Sequence, residues 1–449
     1  MRGSGRGVRW VRAGTAVVGT AALVLGVTAA PVEAGRPGRD LGRETLRAGD
    51  GWAALDTGTT GGAAADAAHV FVVRTWDEFR AALGGTAARG DTTPRIVYVE
   101  GRIDANTGPG GTVRTCSDYA DPGYSLDAYL AAYDPAVWGT ETRPSGPLEE
   151  ARARSQATQN AQVRQFVGSN VTIVGRGPRA QLVGASLTVR GSTNVIIRNL
   201  RLSDAYDCFP GWDPGDGSGA WNSQYDNVWV VESTHVWVDH VTFDDGAHPP
   251  ASLPERLGVK YEVHDGLLDI TNNSDLVTVS YNRFVDHDKT MLIGSSNTRY
   301  TDRGTLRVTV HHNVFDGTTQ RLPRVRFGQV HVYDNHYVLK DPDDFLYAWG
   351  VGVESQLYAE SNVFTLGRKV PVGDLVYDWG GTMIQASDTW VAVGPRRPAR
   401  VDVAAAYNAT HEPDLATEVG WEPVLHGRID PAPAIPALLA RTAGAGRTG

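Results

Sequence analysis

The chain has 449 residues, a formal charge of −9 and two cysteines. An acidic protein repels polyanions, which argues against nucleic acid as a partner; an acidic ligand would need a local basic strip, a bound cation, or both. Length alone would allow about two or three domains, but a fold that grows by adding identical turns remains one body.

The first residues read as an export signal. Arg2, Arg6, Arg9 and Arg12 form a basic head, Ala13 to Ala30 is apolar and punctuated by Gly and Thr, and Val32–Glu33–Ala34 resembles a small-residue cleavage site. A signal peptide over 1–34 predicts a secreted, extracellular protein. Its removal takes four arginines and one glutamate, so the mature chain is more acidic still. The competing reading, a membrane anchor, lacks stop-transfer charges, and no other segment is apolar enough to span a bilayer.

Residues 35–67, rich in Gly, Ala, Arg and Asp, predict a loosely ordered mature N-terminus. Thr75–Trp76–Asp77–Glu78 is a capping box that opens a helix from Trp76 to Leu83. Such a helix suits the open end of a coil, whose first turn would otherwise expose its core. Ile96–Val99 is the first strand. Residues 103–165 form an insert with one helix, Leu126 to Tyr133 behind Ser125. Strands resume at Val171–Val174, Leu187–Val189 and Val195–Leu202, before a loop over 203–225. A single domain over 68–430 and a peripheral tail over 431–449 complete the organisation. Cys116 and Cys208 are open to two readings, two buried thiols or a disulfide tying the insert to the body; an exported chain favours the disulfide.

From Asp226 onward a pattern recurs. Val236, Val277, Val308, Val330 and Leu357 are each followed seven positions later by Phe243, Phe284, Phe315, Tyr337 and Phe364. Asn282, Asn313, Asn335 and Asn362 stand two places before the last four aromatics. The anchors are 41, 31, 22 and 27 residues apart. Alternation at period two is a strand signal, and strands recurring at such intervals without helices between them predict stacked rungs. The expected fold is all-β, a parallel β-helix. In such a coil, residues at equal offset from their anchors share a column, with neighbours roughly 4.8 Å apart.

Counting back from the anchors places Asp226, Asp265, Asp269 and Arg321 in one narrow band, on rungs that are neighbours or near-neighbours, with Arg326 4 residues before its anchor Val330. Lys289 and Arg321 lie at nearly equal offsets past their own anchors and share an edge. Crowded carboxylates repel one another and raise each other's pKa, a cost that a hard cation removes; Ca²⁺ takes six to eight oxygens. Any one of these aspartates alone would read as an ordinary exposed turn residue, as Asp244–Asp245 and Asp343–Asp344 do. In Gln320–Phe327, Arg324 and Arg326 share one strand face while Val325 and Phe327 take the other, and Pro323 argues against plain ladder pairing.

At Trp237–Val238–Asp239–His240, His264–Asp265–Gly266–Leu267–Leu268–Asp269, Val277 to Gly294 and Arg307 to Tyr337, the chain resembles the pectate lyases of polysaccharide lyase family 1, above all the secreted bacterial branch. The similarity includes Trp212–Asp213–Pro214 and Trp221 to Asp226 and covers residues 68–370. It implies a right-handed coil and Ca²⁺-dependent β-elimination of polygalacturonate; the capped ends of the coil, apart from the resemblance, suggest a monomer. Carried over residue by residue, it makes Asp226, Asp265 and Asp269 calcium ligands, Arg321 the catalytic base, and Lys289 and Arg326 the binders of substrate carboxylates, with Lys289 in reserve as base. Trp237–His240 reads instead as a buried polar cluster. Three alternatives stay open: a pectin lyase, which would lack the three aspartates; a hydrolase, which would need a carboxylic pair; and a non-catalytic carbohydrate-binding coil.

Overall fold

Val236 pairs in parallel with Val277, Val277 with Val308, Val308 with Val330, and Val330 with Leu357. Each anchor thus lies directly on the next in the computed structural model, which describes residues 40–340 and 345–448. The ladder continues upstream to Val195 and Val171 and downstream to Ile384. Alternate side chains point inward, so Val236, Val238, Val277 and Val279 are fully buried. A second ladder carries the aromatics, whose rings stack from Phe243 to Phe364 at 5.0, 4.9, 4.9 and 4.3 Å. A third ladder holds eight strands, from Arg164–Val167 to Val376–Trp379. Three parallel ladders wound in succession make a right-handed parallel β-helix, the hand that parallel crossovers take.

The corner between the first two ladders explains the asparagines. One residue per rung is left-handed there (His240, Tyr281, His312, Asp334 and Ser361, φ from 51° to 55°). The next residue inward is Asn282, Asn313, Asn335 or Asn362, and each amide donates to the next, Nδ2 to Oδ1, at 2.9, 3.0 and 3.1 Å. Each Nδ2 also reaches a backbone carbonyl of the preceding rung, as Asn313 does at Val279. A buried amide column is tolerated because its donors and acceptors are consumed rung by rung.

The capping box at Thr75 and Glu78 is formed, and Trp76, Phe79 and Ala82 of the helix Trp76–Ala82 enter the main core. The insert differs from expectation: it holds four helices, Cys116–Tyr119, Leu126–Ala132, Pro135–Trp138 and Pro147–Val163. The last was illegible as an amphipathic helix because its buried face is polar. Arg152, Gln159 and Gln162 are buried and bond to the carbonyls of Phe209, Tyr206 and Ala105 at 2.6, 2.7 and 2.8 Å. Cys116 and Cys208 are disulfide-bonded, their Cα atoms 5.3 Å apart.

Two further expectations are corrected. Residues 40–67 are not loose; they lie across the outer face of the first ladder. Ala53 and Gly62 N–H donate to Thr278 and Thr172 Oγ1 at 3.1 and 2.8 Å, and Leu46 and Ala53 pack on Ile196 and Trp237. Nor is the tail peripheral: Ile435 and Leu439 of helix Ile435–Thr442 are buried with Val314 and Val363. Composition hid both because their hold is backbone donation to outward-facing threonines and a few small apolar contacts. The signal expected over 1–34 and the Asp343–Asp344 turn lie outside the described residues.

Candidate active site

The third ladder carries the charges. Asp226 precedes the strand Val228–Val231, and Asp269 lies within its neighbour Leu268–Thr271. Gly266 stands between the two carboxylates: a Cβ there would fall 2.4 Å from Asp269 Oδ1 and 2.8 Å from Asp226 Oδ1. Only glycine permits this approach. The Gly266 N–H donates to Asp226 Oδ1 at 2.7 Å and the Leu292 N–H to Asp269 Oδ1 at 2.9 Å. Both side chains are buried. Burial, then repulsion from Asp269 and Asp265, pushes Asp226 well above the ordinary carboxylate range. Burial and Asp265 push Asp269 up to about 7 against the pull of Arg321.

The cations occupy the next rungs. Lys289 bridges to Gln320, and the Met291 N–H donates to the Arg321 carbonyl at 2.8 Å, so Lys289 and Arg321 stand on adjacent turns. Arg321 is left-handed (φ 59°), and strand pairing resumes only at Arg324–Val325, beyond Pro323. Burial would lower the pKa of Arg321, but Asp269 and Asp265 outweigh it and hold the guanidinium charged. Its Nε is buried without a hydrogen-bond partner. An N–H left in that state is stabilised by an incoming acceptor.

Arg326 is more enclosed than its expected role suggests. Its Nε donates to Asn297 Oδ1 at 2.6 Å and its Nη1 to the Gly294 carbonyl at 2.8 Å. Burial, then Arg324 and Arg321, lower it to about 10. Arg324, its neighbour on the same face, lies 3.8 Å from the ring centroid of Trp379. The aromatic partner was invisible in sequence, where more than fifty residues separate the two.

Asp245 was misread as an exposed turn residue. It is buried and accepts from His287 Nδ1 at 2.7 Å, while His287 Nε2 lies 2.8 Å from the Asp265 carbonyl. Both partners are acceptors, so the ring carries both protons. Burial opposes that charge, but Asp245 outweighs it and raises the His287 pKa. A buried imidazolium thus braces the backbone of Asp265 from below. Asp244 is buried too, with Arg201 Nε 2.6 Å from its Oδ2.

The donor set fits a hard divalent cation: oxygen ligands on two buried carboxylates whose mutual repulsion no cation among the described residues relieves at contact distance, with Asp265 adding a third negative charge. The three aspartates do not gather one oxygen each within 4.8 Å; among the described residues the trio that does so is His312, Asp334 and Asp430, at a different corner. Trp237–His240 is the buried polar cluster that its sequence suggested, although it faces outward from the first ladder: Asp239 takes Arg198 Nη2 at 2.8 Å and Ser280 Oγ at 2.9 Å.

Fold and edge together define a class, a parallel β-helix with acidic and basic side chains facing one another along one ladder. The pectate lyase family model matches residues 39–120 and 145–380. A pectate lyase of Bacillus subtilis is 43% identical over 95% of this chain and 98% of its own length. Pectate lyase D of Dickeya chrysanthemi is 39% identical over 73% of this chain and 72% of its own. The solved structure of a thermostable pectate lyase superposes with a TM-score of 0.89 at 44% identity, covering 92% of this chain and all of the other. A pectate lyase bound to a hexasaccharide gives 0.86 at 43%, with the same coverage. The chain belongs to the pectate lyase family and is an enzyme of the lyase class.

Proposed function

We propose that the protein is an exported, monomeric pectate lyase that cleaves α-1,4-linked polygalacturonate by Ca²⁺-dependent β-elimination. The observation that carries this is the arrangement along the third ladder: an arginine whose buried Nε–H has no partner, one rung from a lysine and facing repelled carboxylates. Asp226, Asp265 and Asp269 would hold the calcium ion. When bound, the ion supplies Lewis-acid charge to the substrate's uronate carboxylate.

The residues of the chain do the rest. Lys289 and Arg326 bind uronate carboxylates and orient the sugar, and the positive field so created stabilises charge developing beside C5. Arg321 accepts the C5 proton. The electron pair of the broken C5–H bond forms the C4–C5 double bond, the C4–O bond breaks, and the departing oxygen takes a proton from water. For this Arg321 must be neutral. With Asp265 and Asp269 compensated, the two largest charges that raise its pKa are cancelled, and burial, the largest influence of all, lowers it against the weaker pull of Tyr347 and Asp288.

Near-ultraviolet absorbance during incubation with de-esterified polygalacturonate tests the reading. The unsaturated uronate chromophore is expected with Ca²⁺ and not with excess chelator. Shorter chains without that chromophore would mean hydrolysis and overturn the role of Arg321. Export is checked by the N-terminus of protein recovered from culture medium, expected after Ala34, and the monomer by light scattering.

A further inference from the structure

At the corner between the first two ladders, the left-handed residue of two successive rungs is His312 and then Asp334. Asp430, from the C-terminal segment, closes over them. His312 Nε2 lies 3.5 Å from Asp334 Oδ2 and 3.4 Å from Asp430 Oδ2, and the three ligand atoms all lie within 4.8 Å of one another. Donors about 2.0 Å from a tetrahedral ion stand about 3.3 Å apart, so the two distances from His312 match zinc coordination. We propose that His312, Asp334 and Asp430 form a binding site for a divalent transition-metal ion of the zinc class, separate from the carboxylates of the third ladder, which rivets the C-terminal segment to the coil.

Two observations beyond the clustering point to a ligand. Asp334 is fully buried, yet its Oδ1 has no hydrogen-bond partner; Oδ2 is occupied by the Asp430 N–H at 2.9 Å. A buried carboxylate oxygen without a donor is costly, and a cation would satisfy it.

The second is a count of protons. His312 Nδ1 and His311 Nδ1 are 2.8 Å apart, so one ring donates to the other. Two neutral rings then have a single N–H left for their two outer Nε2 atoms. Both of these face carboxylates: His311 Nε2 lies 3.4 Å from Asp50 Oδ1, and His312 Nε2 faces Asp334 and Asp430. One ring therefore aims a lone pair at negative oxygen. Without a metal the proton suits His312, whose Nε2 is hydrogen-bonded to Asp430 Oδ2 at 3.4 Å while His311 Nε2 has no hydrogen-bond partner; moving it to His311, toward Asp50, frees the His312 lone pair for a metal and balances two carboxylates with a divalent charge. An imidazole in the set suits zinc, whereas calcium takes oxygens.

The location gives the ion a structural task. Asp430 also accepts from Ser361 Oγ through its carbonyl at 2.7 Å, so this one residue touches three rungs. Ahead of it runs a segment without helix or strand, from Glu412 to Ile429.

Equilibrium dialysis of the folded protein against Zn²⁺, with Ca²⁺ in excess, tests the site. Wild type and Asp226→Asn are expected to retain one zinc per chain; Asp334→Asn and Asp430→Asn should bind at least tenfold more weakly. Zn²⁺ should raise the Tm of wild type and not of those two variants, since a ligand stabilises only the state it binds. Asp430 is partly exposed and lies in the C-terminal segment outside the ladders, so Asp430→Asn keeps the core intact if Asp334→Asn does not fold. Zinc binding that is absent in folded wild type, or unchanged in the Asp430 variant, overturns the proposal. In that case the cluster holds a shared proton, for which burial, by raising Asp334 to about 7, prepares it.

Discussion

Two buried carboxylate clusters lie on different faces of this coil and have opposite fates. Asp239 is pulled below its ordinary range: burial opposes its charge, but His240 and Arg198 outweigh it, and Ser280 adds a hydrogen bond. Arg198 is itself paired with Glu44 from the N-terminal segment at 2.9 Å and lies over Trp237. Asp226 and Asp269 accept hydrogen bonds from backbone amides, and the more distant pull of Arg164 on one and Arg321 on the other does not outweigh burial and carboxylate repulsion, so both are driven upward. A cluster closed on itself builds structure. A cluster left unbalanced, beside Arg321 and Lys289, is prepared for something from outside.

The contrast can be broken most sharply at Arg321. Arg321→Lys should lower lyase turnover by about 10²- to 10⁴-fold, the range for a lost general base, measured as unsaturated product, with the folded state intact. Next come the carboxylates. Asp239→Asn leaves buried Arg198 short of one partner and should destabilise the protein by about 3 kcal/mol. Asp269→Asn should stabilise the calcium-free protein and abolish its calcium response; denaturant unfolding with and without Ca²⁺ separates the two. Equal losses from both variants would end the distinction.

The pH dependence sharpens it further. A raised carboxyl contributes stability below its ordinary value and loses it as pH climbs through the raised one. In chelator, Tm should therefore fall from near pH 3.8 through about 7 on account of Asp269, and Asp269→Asn should flatten that fall. Asp239, being lowered, contributes above its ordinary value and is lost only on acidification, so Asp239→Asn should leave the neutral limb unchanged. The smallest effect lies far from either cluster: Thr75→Ala removes the helix cap and should cost about 1 kcal/mol.

Much of this was legible in the chain because a coil converts sequence offset into height. The anchors at 236, 277, 308, 330 and 357 pair as counted, and the aromatics seven places on stack ring on ring. The same arithmetic placed Lys289 and Arg321 on neighbouring rungs. It failed for the polar helix Pro147–Val163, for the N-terminal segment and for the tail, whose attachments follow no period. It failed also for Asp245, because His287, the partner that makes a turn residue buried and charged, lies 42 residues away.

The sequence by itself determined the class of fold, its register and the edge where the charges meet, since period-two alternation and regular spacing are local and additive. Only the tertiary structure decided which of those charges are balanced. Whether Asp239 or Asp269 finds a cation at contact distance depends on chain brought from far away: Glu44 and Arg198 close over one, and among the described residues no such segment reaches the other. Electrostatic balance in a buried site is a sum over neighbours in space, and that sum exists only once the chain has folded.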